Sequence, residues 1–181
     1  KSGSRNCDSL WSTFGRSTYD FGGKLYVEID RRYKTAGTIL DASPYWLGAA
    51  LGVQARERPS TGLSALPLIE KAFEAAAASE PEYEDAGPDR ALALLYLRAP
   101  EWPAGPGDPD RGLELARRAL ALKPESPANH LALAEALEAT GATEEARASR
   151  RAALELAEAA RVAGNPDAPE WIEEARRGLE G

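Results

Sequence analysis

Methionine is absent from all 181 residues, and cysteine and histidine occur once each, as Cys7 and His130. Lack of an initiator methionine suggests a mature product or a fragment, with any signal peptide already removed, which leaves an extracytoplasmic, periplasmic location open. A single cysteine excludes an intrachain disulfide and a cysteine-rich metal site. A lipid-anchored cysteine needs small and apolar residues before it, and Ser4-Arg5-Asn6 does not supply them. No run of 18 apolar residues exists, so no segment reads as a membrane span. Neither a Gly-x-Ser-x-Gly elbow nor a Gly-x-x-x-x-Gly-Lys-Ser/Thr phosphate loop is present. With one histidine and no such motif, nucleophile–base catalysis has little to work with. The expectation is a protein that is not an enzyme and carries no cofactor or metal. A net charge of −7 opposes nucleic acid, which selects for basic faces.

The charge is unevenly spread. Residues 1–42 hold 7 Lys and Arg against 5 Asp and Glu, a net of +2, while residues 43–181 hold 15 against 24, a net of −9. The first 42 residues also contain only two alanines, with five serines and five glycines. Within them Leu25, Val27 and Ile29 alternate with Tyr26, Glu28 and Asp30, the period of a strand. A lone strand needs a partner edge, so residues 1–42 read as a strand-like or irregular arm. Its apolar face of Leu25, Val27 and Ile29 suits docking by strand addition, in an oligomer or onto a partner. A flexible tail is the plain alternative.

From Ser43 onward the chain turns alanine- and leucine-rich, and the expectation for 43–181 is an all-α repeat domain ending in a capping helix. Three entries pair a capping residue with proline: Ser43-Pro44, Asp108-Pro109 and Ser126-Pro127. Asp167 with Glu170 forms a fourth, box-like start. The patterns predict helices over 44–57, 65–79, 89–99, 109–122, 127–140, 143–163 and 168–179, with a long joint at 58–63. In the 109–122 helix, Leu113, Ala116, Ala119 and Leu120 form a stripe, and in the next Leu133, Ala134 and Leu137 do so.

Gly107-Asp108-Pro109-Asp110 recurs 34 residues on as Gly141-Ala142-Thr143-Glu144, and Gly112, Ala116 and Ala119 map onto Ala146, Arg150 and Ala153. That period, with glycine at the turn and small residues in the following helix, marks tetratricopeptide-type hairpins stacked as a short solenoid. Arg98 to Gly107 is longer than the period requires, and its prolines and glycines bar a continuous helix.

Few residues suggest chemistry. Asp108, Asp110 and Glu114 read as a helix cap with first-turn acids rather than a cation loop. His130, one turn before Leu133, reads as a packing or hydrogen-bonded residue, with a ligand contact as the alternative. The aromatics are the better candidates: Tyr45 and Trp46 open the first helix, Tyr96 ends an apolar run, and Trp102 sits among prolines and glycines. Trp102 fits either a partner contact held on a stiff loop or a cover over the hairpin core.

The stretches Ser43-Pro44-Tyr45-Trp46-Leu47-Gly48-Ala49-Ala50-Leu51-Gly52 and Leu66-Pro67-Leu68-Ile69-Glu70-Lys71-Ala72-Phe73 resemble the T-component family of TRAP transporters. So does Ala86-Gly87-Pro88-Asp89-Arg90-Ala91 leading to Gly107-Asp108-Pro109, and the likeness runs over about residues 43–165. The resemblance implies a bacterial periplasmic helical protein, often a lipoprotein, that associates with a substrate-binding protein. It also implies a cavity for a hydrophobic ligand between helices. Two functions follow as expectations: a protein–protein interaction scaffold or accessory subunit, and a carrier of an apolar ligand.

Overall fold

A computed structural model describes residues 44–57 and 59–180. Among them run seven helices: α1 (Pro44–Glu57), α2 (Pro59–Ser79), α3 (Tyr83–Arg98), α4 (Pro109–Leu122), α5 (Pro127–Ala139), α6 (Thr143–Val162) and α7 (Ala168–Glu180). The all-α hairpin architecture is the one the sequence pattern predicts. The strand reading of 24–30, with Leu25, Val27 and Ile29, lies outside the described residues. Contacts divide the chain into two units, one ending at Ala76 and one beginning at Ala77.

In the first unit, α1 and α2 pair through aromatics. Tyr45 meets Trp46 edge-on at 5.3 Å between ring centres and Phe73 of α2 at 5.7 Å. Ala49, Val53, Ile69, Ala72 and Ala76 are buried with them. The long joint expected at 58–63 is absent, because α2 begins at Pro59. Proline suits a helix's first position, where its missing N–H costs nothing, so Pro59 opens the helix rather than holding it off.

The second unit is a two-layer stack. Helices α3, α5 and α7 lie side by side, α4 packs on α3 and α5, and α6 packs on α5 and α7. Helices α4 and α6 make at most marginal contact, so the layer of α3, α5 and α7 is the tighter, inner one. Alanine makes this closeness possible: Ala93, Ala116, Ala119, Ala136, Ala146 and Ala153 are fully enclosed. Between α5, α6 and α7, Leu131, Ala153 and Ala175 form a core flanked by Leu154 and Trp171.

Two stripes differ from the sequence pattern. On α4 the buried residues are Gly112, Leu115, Ala116 and Ala119, with Leu113 and Leu120 only half-buried. On α5 they are Pro127, Asn129, Leu131, Ala132, Ala134, Ala136 and Leu137, and Leu133 is half-buried. The cause is position in the stack: α5 touches α3, α4, α6 and α7, so it has no single inner face.

The helix ends follow local chemistry. Asp108 caps α4, its carboxylate accepting from the Arg111 N–H at 3.0 Å. Ser126 makes no such side-chain bond. Helices α5 and α6 both end in Gly at positive φ, Gly141 at 83° and Gly164 at 82°. Ala142 N–H donates to the Leu137 carbonyl and Gly141 N–H to that of Glu138, and Asn165 and Gly164 repeat the pattern on Ala160 and Arg161. Each is a Schellman closure, which needs a left-handed residue where glycine sits.

Candidate functional site

Pro81 stops the chain after α2, and the chain enters α3 through an unusual turn. Glu84, Asp85 and Ala86 all have positive φ (48°, 57° and 59°), a left-handed stretch of three residues with side chains. Each such residue costs roughly 1–2 kcal/mol, so neighbouring bonds must hold the stretch in place. Arg90, one turn into the regular helix, supplies two of them: Nη1 donates to the Asp85 carbonyl at 2.9 Å and Nη2 to that of Glu84 at 3.1 Å. Asn129 on α5, fully buried, supplies more. Its Nδ2 donates to the carbonyls of Asp85, Ala119 and Lys123 at 3.0–3.2 Å, and its Oδ1 accepts from Arg90 at 2.8 Å. One amide thus ties the turn to α4 and α5.

Beside it, Asp89 is 1% exposed and is held by Arg118 of α4 through two bonds, at 2.6 and 2.5 Å. The bidentate fork raises Arg118 above arginine's ordinary pKa, more than burial lowers it. This cluster has its partners satisfied within the protein. It builds the stack rather than offering chemistry to a ligand.

Past α3 the chain folds the 99–108 loop into a defined turn. Asp108 N–H returns to the Tyr96 carbonyl, Gly107 N–H to that of Pro100, and Ala104 and Gly105 N–H to that of Glu101. Gly107 is required here by space, since a Cβ on it would fall 2.3 Å from the Ala99 carbonyl oxygen. The Trp102–Pro103 bond is cis, and Trp102 is 86% exposed. A bulky indole is therefore presented to solvent on a hydrogen-bonded loop.

On the surface of the inner layer, Arg98 at the end of α3 grips Glu135 of α5 through two bonds, at 2.8 and 2.6 Å. That grip raises Arg98 above its ordinary pKa. Glu174 of α7 lies within electrostatic reach of the same pair. Its side chain reaches solvent, yet the protein around it desolvates the carboxyl and pushes its pKa up. Arg98 opposes the shift, while Glu135 and Glu170 add to it.

A cleft of ≈ 600 Å³ opens between α6 and α7. It is lined by Glu158, Arg161, Glu173, Arg176, Arg177 and Glu180, with Pro169 and Ile172 the apolar contributions. Several of these charges pair among themselves, Arg161 and Arg176 with Glu158 and Arg177 with Glu173.

The residues singled out in the sequence are scattered. Tyr45 and Trp46 are brought together, but as buried packing against Phe73. Tyr96 is 1% exposed and lies under the Arg111 guanidinium, 4.3 Å from its ring centre. His130 is half-buried, Nε2 bonding the Pro124 carbonyl at 3.0 Å, and Ser149 donates to the His130 carbonyl at 2.8 Å. Trp102 alone of the five stands in solvent. Sequence reasoning missed Arg98, Glu135 and Glu174, which lie 37 and 39 residues apart and come together only through the side-by-side placement of α3, α5 and α7.

Among the described residues no helix is long and apolar enough to cross a membrane. No group of three or more His, Cys, Asp or Glu among them is placed to hold a metal ion. A comparison with curated proteins finds no match. Residues 104–149, which cover the end of the Trp102 loop, α4, α5 and the start of α6, match the tetratricopeptide repeat family. With that match lying across the two-layer stack, the chain is a tetratricopeptide-like helical repeat protein.

Proposed function

We propose that this chain is a non-enzymatic protein–protein interaction module, serving as a scaffold or as an accessory subunit of a larger assembly. Tetratricopeptide repeats generally mediate protein–protein interaction, and the repeat match carries the reading. Trp102 supports it, because a large aromatic held in water on an ordered loop is the kind of residue that anchors interfaces. The accessory role in a transport assembly rests on the resemblance of residues 43–165. The cleft between α6 and α7 is lined chiefly by charged side chains, several of them paired with one another, so it gives the apolar-carrier reading no support.

The test is photo-crosslinking in the native source from a benzophenone amino acid placed beside Trp102, at Glu101. A discrete crosslinked protein band is expected, and Trp102→Ala added to that chain should reduce its yield at least severalfold without changing the melting temperature. Crosslinks only to solvent-derived adducts, or a band indifferent to Trp102→Ala, would count against the loop as a contact surface.

A further inference from the structure

Helix α1 has no face suited to water. Between Pro44 and Ala55 no side chain is charged, and Gln54 carries the only amide. Tyr45, Trp46, Ala49 and Val53 are buried, with Tyr45 against Phe73 of α2. Leu47 is 47% exposed, and Ala50, Leu51 and Gln54, three, four and seven residues on, share its side of the helix half-buried. A helix that is apolar all round belongs in a setting that covers it all round. Helix α7 is the contrast: Ala168, Ile172 and Ala175 are buried, while Glu170, Glu173, Arg176 and Arg177 stand exposed. Helical stacks need a polar outermost surface, and α1 by itself does not provide one.

We propose that residues 24–30 of this same chain lie along the Leu47 face of α1, turning Leu25, Val27 and Ile29 toward the helix and Tyr26, Glu28 and Asp30 toward water. Because the three apolar side chains alternate with polar ones, an extended segment has one face to bury and one to solvate. Helix α1 is the matching surface, since it holds no charge that burial would strand. The chain is long enough to return. From Ile29 to Pro44 is 44 − 29 = 15 residues, a reach of up to about 50 Å. The 14 residues of α1 span only about 21 Å. Such a tether keeps the segment at roughly millimolar effective concentration beside α1, which favours it over a second copy. Its backbone edges stay in water on either side of the helix, and Tyr26, Glu28 and Asp30 become the polar outer surface that α1 lacks. The inference stands independently of the interaction-module reading.

Photo-crosslinking on the full chain tests this, with benzoylphenylalanine in place of Leu47. Trypsin, which cuts after Lys24 and Arg31, releases the segment as one peptide for mass spectrometry. Mixing nitrogen-15-labelled and unlabelled protein separates bonds within one chain from bonds between copies. The expected product joins that peptide to position 47 within a single chain. Val27→Asp should lower its yield roughly tenfold or more, because a carboxylate would be pressed against apolar surface. Tyr26→Asp, on the solvent side of the segment, should leave the yield within about twofold. Circular dichroism on both variants checks that the helices persist. Isotopically mixed products would mean that a second copy covers α1, and would overturn the proposal. Crosslinks to another part of the chain, or none at all, would overturn it as well. So would equal losses from Val27→Asp and Tyr26→Asp, since the alternation would then not decide which side meets the helix.

Discussion

At the scale of single residues, the 34-residue register pairs two glycines that the chain needs for different reasons. Gly141 sits at positive φ with open space around the position of a Cβ. Gly107 has no such φ, but a Cβ there would strike the backbone of Ala99 and Pro100. Gly141→Ala should therefore cost about 1–2 kcal/mol for the left-handed conformation, and Gly141→Asn clearly less, because asparagine tolerates that region. Gly107→Ala and Gly107→Asn should both cost about 1–3 kcal/mol, because the obstruction is steric and its neighbours are backbone. Urea unfolding of the four variants checks this; asparagine rescuing both positions would show that space is not the constraint at Gly107. The sequence repeat announced that glycine belongs at both turns. It could not say why, since φ and clearance are properties of the folded path. Glu174 makes a second residue-scale case. Burial raises its pKa above the usual glutamate value, with Arg98 and Arg177 opposing and Glu135 and Glu170 reinforcing the shift. A carboxyl whose pKa is higher folded than unfolded favours folding while protonated, and that benefit fades as pH rises through the folded value. Glu174→Gln should thus raise the melting temperature at neutral pH, with the gain vanishing below the ordinary glutamate range near 4.5. A gain that persists unchanged at pH 3 would mean the carboxyl's ionisation is not its source.

At the scale of elements, the helices were legible and the faces they bury were less so. Residues 109–122 were predicted and observed as α4, and Asp108 caps it as the Asp-Pro pair implies. Three- and four-residue spacing locates a helix even when the buried face is misread by one position. It misreads α5 because a helix surrounded by four others buries residues around much of its circumference. The energetic consequence is specific. Leu131→Ala removes a 6%-exposed side chain from the core with Ala153 and Ala175, and should cost about 2–5 kcal/mol. Leu133→Ala, at a half-buried position, should cost clearly less, and exposed Glu114→Ala under about 0.5 kcal/mol. Equal losses at Leu131 and Leu133 in thermal or urea unfolding would show that α5 sits in a different rotation. The α3 entry was the least legible element. Nothing in Glu84-Asp85-Ala86 announces a left-handed turn, because no glycine or asparagine occupies it. It is held from outside by Arg90 and by Asn129, which comes 44 residues after Asp85.

At the scale of the whole repeat unit, a stack of hairpins is stabilised by nearest neighbours, so its helices need not open together. Helix α5 is packed by four others and anchored through Asn129, whereas α7 rests chiefly on α6 and α5. The outer surface of α7 is largely charged, with Glu173 paired to Arg177 and Arg176 to Glu158, so little apolar area resists its release. What holds it is a short set of side chains: Trp171, Ile172 and Ala175. Native-state hydrogen exchange should therefore find the α5 amides slowest and those of α7 faster by roughly a hundredfold or more. If α7 exchanges as slowly as α5, the unit opens in one step and the nearest-neighbour description fails.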